Sequence, residues 1–186
     1  MSSQGSTPPT PGSIVGFHVE HGVVSSEPIA TKIEDLLMEF SAIFVSTSRM
    51  LVTDPSFGIS ILELGGDLVF NEVVHTIVPK QKAICWTEAD FTLGTAYGID
   101  AGLNKIWKFD VETGAKTGAI KITGDGNPAN VGLFDSAIDM KNNVMYSTIN
   151  GGNGVVAVDL KKEQQIQFLD LSSFGNRQFY QGMVIY

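Results

Sequence analysis

Four short segments of similar pattern recur along the 186-residue chain at a nearly constant interval. In each segment the second, fifth and seventh places are apolar, and successive second places are separated by 45, 47 and 49 residues. The second places are Ile14, Ile59, Ile106 and Val155. A repeat of this length is typical of folds in which each unit is one small sheet packed on its neighbours. The repeat therefore constrains the fold more than any other feature of the chain.

The residues around each repeat predict four antiparallel strands per unit. A turn and a further strand follow every segment, and another strand and an apolar inner-strand candidate precede three of the four. The sequence thus predicts an all-β fold, a partial β-propeller of about 3–4 four-stranded blades. We expect a larger, seven-bladed propeller of which this chain is a fragment or a truncated form. The expected blades are residues 13–31 (partial), 42–77, 83–122 and 136–171, with 182–186 starting a further blade.

Two segments depart from the strand pattern. Residues 1–12 are rich in Ser, Pro and Gly, and we interpret them as a flexible leader. They have neither a basic region nor a long apolar region, so they are not predicted to be a signal peptide. Residues 32–40 place Ile33, Leu36, Leu37 and Phe40 at helical spacing, which indicates a short amphipathic helix or, almost equally, a connector that interrupts the strands.

Composition excludes some partners. The formal net charge is −8 and the pI about 4.7, which argues against a nucleic-acid partner and against docking on anionic membranes. Cys85 is the single cysteine, so the chain cannot form an internal disulfide. We expect it to be a small buried residue beside Trp86 rather than a nucleophile, because no histidine is close to it in sequence. No metal-ligand spacing is present, and we expect neither a metal nor a cofactor.

Several strings resemble a known family. They are Thr53-Asp-Pro-Ser-Phe-Gly58, Ala83-Ile-Cys-Trp-Thr87, Gly94-Thr-Ala-Tyr97, Asp100-Ala-Gly-Leu-Asn104, Asn127-Pro128 and Gln181-Gly-Met183. Together they resemble the C-terminal half of fungal secreted propeller proteins of the 3-carboxymuconate-cyclase-like group, which are related in fold to lactonase-type propellers. The resemblance covers roughly residues 11–186. It implies a seven-bladed relative and an extracellular location, but it assigns no catalytic role to any residue.

Carboxylates near the predicted inner strands are the best candidates for a polar site. Inner strands line the channel of a propeller, and loops at one end form its pocket. The candidate channel residues are Glu88, Asp90, Asp135, Asp139 and Arg177. Other polar side chains have a simpler interpretation: Glu63, Asp110 and Asp159 occupy one repeated position and are expected to cap turns or face solvent. His18, His21 and His75 are expected to be solvated.

Two functions remain open from the sequence. The first is a non-catalytic binding or interaction module built on the propeller, which requires only an exposed apolar or aromatic patch. The alternative is a lactonase-like or cycloisomerase-like enzyme acting on a small organic acid or lactone, which requires charged side chains that converge at one point. Because an incomplete ring exposes sheet faces, we also expect the chain to self-associate or to pair with a missing propeller half.

Overall fold

The computed structural model describes residues 2–3, 11–175 and 180–186, and their strands form four antiparallel sheets. The first sheet has three strands and each of the others has four, arranged in chain order across the sheet. The first two sheets contain β1 (Ser2–Ser3), β2 (Ser13–Glu20), β3 (Val23–Lys32), β4 (Ser41–Phe44), β5 (Arg49–Asp54), β6 (Gly58–Leu64) and β7 (Phe70–Ile77). The last two contain β8 (Ile84–Asp90), β9 (Thr95–Asp100), β10 (Lys105–Asp110), β11 (Lys116–Lys121), β12 (Leu133–Asp139), β13 (Val144–Ile149), β14 (Gly154–Asp159) and β15 (Gln164–Asp170).

The repeat seen in the sequence has a direct structural counterpart. Its second places fall at the second residue of β2, β6, β10 and β14, so they are equivalent positions in successive sheets. Ile14, Ile59 and Ile106 are buried, each in the core between its own sheet and the next. Val155 is only half-buried, because no further sheet among the described residues packs on the fourth. The all-β prediction and the four-stranded unit are confirmed.

Three apolar cores lie between successive sheets, and the alternation of side chains along each strand divides residues between them. On β5, for example, Met50 and Val52 belong to the core between the first and second sheets, whereas Leu51 belongs to the next core. Both faces of the second and third sheets are therefore buried. The first strands of the four-stranded sheets converge, since β8 packs against both β4 and β12. These three strands are the inner strands of the fold.

The structure differs from the expectations at three places. Residues 33–40 form turns and bends, so the helix predicted there is wrong and the connector interpretation is confirmed. The connector is held by the Asp54 carboxylate, whose Oδ2 accepts the N–H groups of Leu37 and Met38, both at 2.8 Å. Ser2 and Ser3, inside the expected leader, pair with β2. Residues 182–186, where a strand was expected, have no regular secondary structure.

The segment from Tyr180 to Tyr186 instead begins against β12 and β13, the first two strands of the fourth sheet. The Gly182 N–H donates to Asp135 Oδ2 at 2.6 Å, and the Thr148 hydroxyl donates to the Tyr180 carbonyl at 3.1 Å. These bonds attach residues 180 and 182 to side chains of β12 and β13. Within the described residues, no helix is long and apolar enough to cross a membrane.

Candidate functional site on the inner strands

Three aromatic rings form a row across the inner strands. Trp86, on β8, lies between Phe40, which directly precedes β4, and Phe134, on β12. The ring centroids of Phe40 and Trp86 are 4.8 Å apart in an edge-to-face arrangement, and those of Trp86 and Phe134 are 5.0 Å apart and tilted by 34°. Both separations lie in the range that favours aromatic pairs. Because Phe40 is 39% exposed and the other two rings are half-buried, the row is open to solvent.

Two strand irregularities help to place this row. The pairing of β8 with β9 shifts between Ile84 and Trp86, and the pairing of β12 with β13 shifts between Leu133 and Ser136. Such bulges insert extra residues into one strand and redirect the side chains around them. Trp86 and Phe134 lie at these equivalent bulges, which explains why both leave the regular inward alternation and meet between the strands.

A pair of carboxyl groups lies beside the aromatic row. Glu88 is two residues from Trp86, and therefore shares its face of β8, while Asp135 follows Phe134 on β12. Burial, reinforced by the negative charge of Asp135, raises the pKa of Glu88 to about 7. Within the described residues, the Glu88 carboxyl group makes no hydrogen bond. Asp135 is held in place by the N–H groups of Ser136 and Gly182.

Asp90 and Asp139, two further candidates from the sequence, lie at the turns that end β8 and β12. Asp90 is fully buried, and it accepts hydrogen bonds from Thr92 and Leu93 in its own turn and from Asn143 of the fourth sheet. Asp139 accepts the backbone and side-chain N–H groups of Asn142. These hydrogen bonds fix the geometry of the two turns and use the carboxylate oxygens of both aspartates. The structure thus brings Glu88 and Asp135 together and places Asp90 and Asp139 elsewhere; Arg177 lies outside the described residues.

The other polar residues singled out in the sequence fall into structural roles. Asp110 and Asp159 cap the turns that follow the third strands, and Glu63 receives hydrogen bonds from Ser48 and Arg49. Cys85 is buried, and burial together with the charge of Asp100 raises the pKa of its thiol to about 11. A thiol with so high a pKa is protonated at neutral pH and is a poor nucleophile.

Sequence reasoning missed the aromatic row. Phe40 and Trp86 are 46 residues apart and Trp86 and Phe134 are 48 apart, each one residue short of the 47 and 49 residues that separate the corresponding repeats. Aligning the units by their repeats therefore does not place the three rings at equivalent positions. Sequence reasoning also missed Glu39, whose carboxyl oxygens are buried without a hydrogen-bond partner among the described residues. Burial and the nearby Asp54 charge raise the pKa of Glu39.

Comparison with known proteins identifies the fold and leaves the family open. No family model matches the chain, and no curated protein matches it. A solved structure, Kuenenia stuttgartiensis hydrazine synthase, is similar over 84% of this chain with a TM-score of 0.62 and 12% sequence identity. The chain spans 42% of the length of that structure's chain. At this identity the similarity shows a β-propeller-like all-β fold, and the resemblance to the carboxymuconate-cyclase-like group stays a prediction.

Proposed function

We propose that the chain is a binding module whose inner strands hold an organic cation of the alkylammonium kind. The observation that carries this proposal is the open row of Phe40, Trp86 and Phe134 beside the carboxyl groups of Glu88 and Asp135. An aromatic face attracts a cation through its quadrupole, and an indole does so most strongly. Paired carboxyl groups next to that face supply the compensating negative charge.

The electrostatics of the chain support a cationic ligand. The net charge of −8 attracts positive ligands over a distance and repels the anionic substrates of a lactonase or a cyclase. Glu88, with a pKa of about 7, is poised to lose its proton when a cation arrives, because a nearby positive charge favours the carboxylate. The ligand would thereby replace the solvation that Glu88 loses on burial.

One observation favours the enzymatic alternative. A carboxylic acid with a pKa near 7 beside a second carboxyl group is an arrangement used for general acid–base catalysis. In this chain, however, Asp90 and Asp139 are committed to turns, so of the candidates that the structure describes only Glu88 and Asp135 lie close together. We therefore place lactonase or cycloisomerase activity second.

A pair of matched probes tests the binding proposal. Choline and 3,3-dimethyl-1-butanol have nearly the same shape, but only choline is charged. In isothermal titration calorimetry at pH 8, we expect choline to bind roughly 5–30 times more tightly than the neutral alcohol, which corresponds to a cation–π contribution of about 1–2 kcal/mol. Trp86→Ala and Glu88→Gln should each remove most of this preference.

The matched control is Trp107→Phe. Trp107 is the second tryptophan; it is buried and donates its Nε1–H to Asp100, away from the aromatic row. This variant should keep the preference for choline. Equal affinities for the two probes, or a preference that survives Trp86→Ala, would contradict the proposal. Turnover of 3-carboxymuconate or a simple lactone that Glu88→Gln abolishes would move the enzymatic alternative to first place.

A further inference from the structure

Three potential metal ligands meet on the outer part of the second sheet, away from the inner strands. They are Asp35, in the connector that follows the first sheet, and Glu72 and His75, both on β7. One ligand atom from each lies within 4.8 Å of the other two. Neither the proposed binding site nor the three apolar cores use these side chains. The geometry points to a binding site for a divalent transition-metal ion, with Zn²⁺ as the fitting cation.

A β-bulge brings Glu72 and His75 to the same face. Residues three apart on a regular strand point to opposite faces. Here Leu62 pairs with Glu72 and Ile61 pairs with Val74, so Val73 is the extra residue and the alternation is shifted by one. His75 is paired with Ser60. The strand is thus built to present a carboxylate and an imidazole side by side.

The two β7 ligands are held in position by their neighbours. The Ser60 hydroxyl donates to Glu72 Oε1, and His75 Nδ1 lies 3.0 Å from the same oxygen. The His75 ring stacks on Phe57 with centroids 4.0 Å apart and planes inclined by 19°, which fixes the orientation of the imidazole. Outer contacts of this kind are what orient metal ligands in proteins.

The separation of the donor atoms suits a metal between them. Metal–nitrogen and metal–oxygen bonds of about 2.1 Å at the tetrahedral angle that Zn²⁺ prefers put adjacent donors about 3.4 Å apart. His75 Nδ1 and Glu72 Oε1 are 3.0 Å apart, so a small opening of this pair reaches that separation. Asp35 is exposed and its carboxylate lies within 4.8 Å of the other two donor atoms, so a rotation of its side chain can bring it into coordination, while the adjacent Leu36 is fully buried and anchors the connector.

The chemistry of the three ligands selects the class of metal. One imidazole with two carboxylates is a mixed nitrogen and oxygen set, which Zn²⁺ accepts and which Ca²⁺ and Mg²⁺, as oxygen-preferring cations, do not favour. Two carboxylates also balance the double positive charge. The side chains of His75 and Glu72 are 31% and 19% exposed, so an ion has access and at least one coordination position stays open to water. Binding would fasten the connector to the second sheet.

The test is calorimetric titration of the full chain with ZnCl₂ after treatment with a chelator. We expect one Zn²⁺ per chain, a loss of binding in His75→Gln, and a weakening beyond about tenfold in Asp35→Asn. Ser60→Ala, which removes only the hydroxyl that positions Glu72, should weaken binding by roughly 10–100-fold. Asp35→Asn guards against a folding defect, because it changes an exposed connector residue and leaves β7 intact. Circular dichroism of each variant confirms the fold.

The matched control is the double variant His18→Gln/His21→Gln, which removes the other two histidines, both exposed on the first sheet. It should retain the single Zn²⁺ site. The inference is overturned if the wild-type chain shows no binding up to about a millimolar Zn²⁺. It is equally overturned if His75→Gln and Asp35→Asn bind as the wild type does, or if only the His18/His21 variant loses binding.

Discussion

Two carboxyl groups on the same face of β8 have opposite surroundings. Asp90, at the end of the strand, is fully buried and every one of its oxygens accepts hydrogen bonds. Glu88, two residues earlier, is half-buried and has no hydrogen bond within the described residues. Burial alone would raise the pKa of Asp90, but hydrogen bonds from Thr92, Asn143 and Leu93 outweigh it and the pKa is lowered. The pKa of Glu88 rises to about 7.

The difference separates a structural carboxylate from an available one. Asp90 closes the turn between β8 and β9 and reaches Asn143 at 2.8 Å, so it joins the third sheet to the fourth. Its charge stabilises the fold because donors surround it. The ionised form of Glu88 lacks such donors, and its charge opposes folding until a ligand supplies a partner. Substitutions of Asp90, Glu88 and Asp139 test this contrast through the free energy of unfolding.

The largest effect is expected from Asp90→Ala. The substitution removes the side-chain acceptor of the Thr92 N–H. It also takes one acceptor from the Leu93 N–H, which keeps the backbone carbonyl of residue 90, and one from the buried side-chain amide of Asn143, which keeps the Thr92 hydroxyl. Hydrogen bonds to a buried charged group contribute more than neutral ones, so we expect the free energy of unfolding to fall by about 3 kcal/mol. Urea denaturation at pH 7 measures it. A loss below about 1 kcal/mol would show that the turn holds without the carboxylate.

Glu88→Gln should act in the opposite direction, and only above a certain pH. The folded-state pKa of about 7 lies above the ordinary value of 4.5, so the folded chain binds the proton more tightly than the unfolded chain does. The wild type therefore loses stability as the pH rises from 4.5 to 7. Relative to the wild type, Glu88→Gln should be about equally stable at pH 4.5 and about 2 kcal/mol more stable at pH 8.

Urea denaturation at several pH values provides the measurement for Glu88→Gln, and Glu112→Gln is its control because Glu112 is exposed. The control should follow the pH profile of the wild type. If the free energy of unfolding of Glu88→Gln changed with pH between 4.5 and 8 as that of the wild type does, Glu88 would be solvated and the contrast with Asp90 would be contradicted. The same titration with choline present should narrow the difference, because the ligand favours the ionised carboxylate.

The contrast between Glu88 and Asp90 shows how far the sequence could be read. The repeat period predicted the four-stranded units, because residues one period apart occupy equivalent strand positions. The predicted inner strands also singled out Glu88 and Asp135, which lie on neighbouring inner strands, where the charge of Asp135 helps to raise the pKa of Glu88. What the sequence could not separate was Asp90 from Glu88, because both are acidic residues of one inner strand and only the donors around each decide its role.

β-Bulges explain most of the features that the sequence did not predict. The register shifts at Cys85, at Phe134 and at Val73 each insert extra residues, and no periodic pattern announces them. The first two open the aromatic row, and the third brings His75 beside Glu72. Likewise, Leu36 at helical spacing suggested a helix, but Asp54 binds the connector backbone in place of helical hydrogen bonds. A local sequence pattern does not predict the backbone structure where a side chain distant in sequence supplies the hydrogen-bond acceptor.

The smallest effect is expected from Asp139→Ala. This variant tests whether an aspartate in an equivalent but exposed turn stabilises the fold as Asp90 does. Asp139 is the position equivalent to Asp90 in the next sheet, 49 residues later, and it too caps the turn after its strand. Its bonds to Asn142 lie in an exposed turn, and hydrogen bonding from the Asn142 side chain lowers the pKa of Asp139.

The two aspartates differ in whether their hydrogen-bond donors can bond to water once the carboxylate is removed. After Asp139→Ala, the N–H groups of the exposed Asn142 can bond to water, whereas Asp90→Ala removes an acceptor from the side-chain amide of Asn143, which is buried. An exposed hydrogen bond exchanges with water at little net cost, so we expect a loss of about 0.5 kcal/mol for Asp139→Ala, measured by the same urea denaturation. If the two variants lost the same free energy of unfolding, the turn geometry that both aspartates share would account for their contribution to stability. A much smaller loss at Asp139 would assign the stabilisation at Asp90 to its burial and to the Asn143 bond between the sheets.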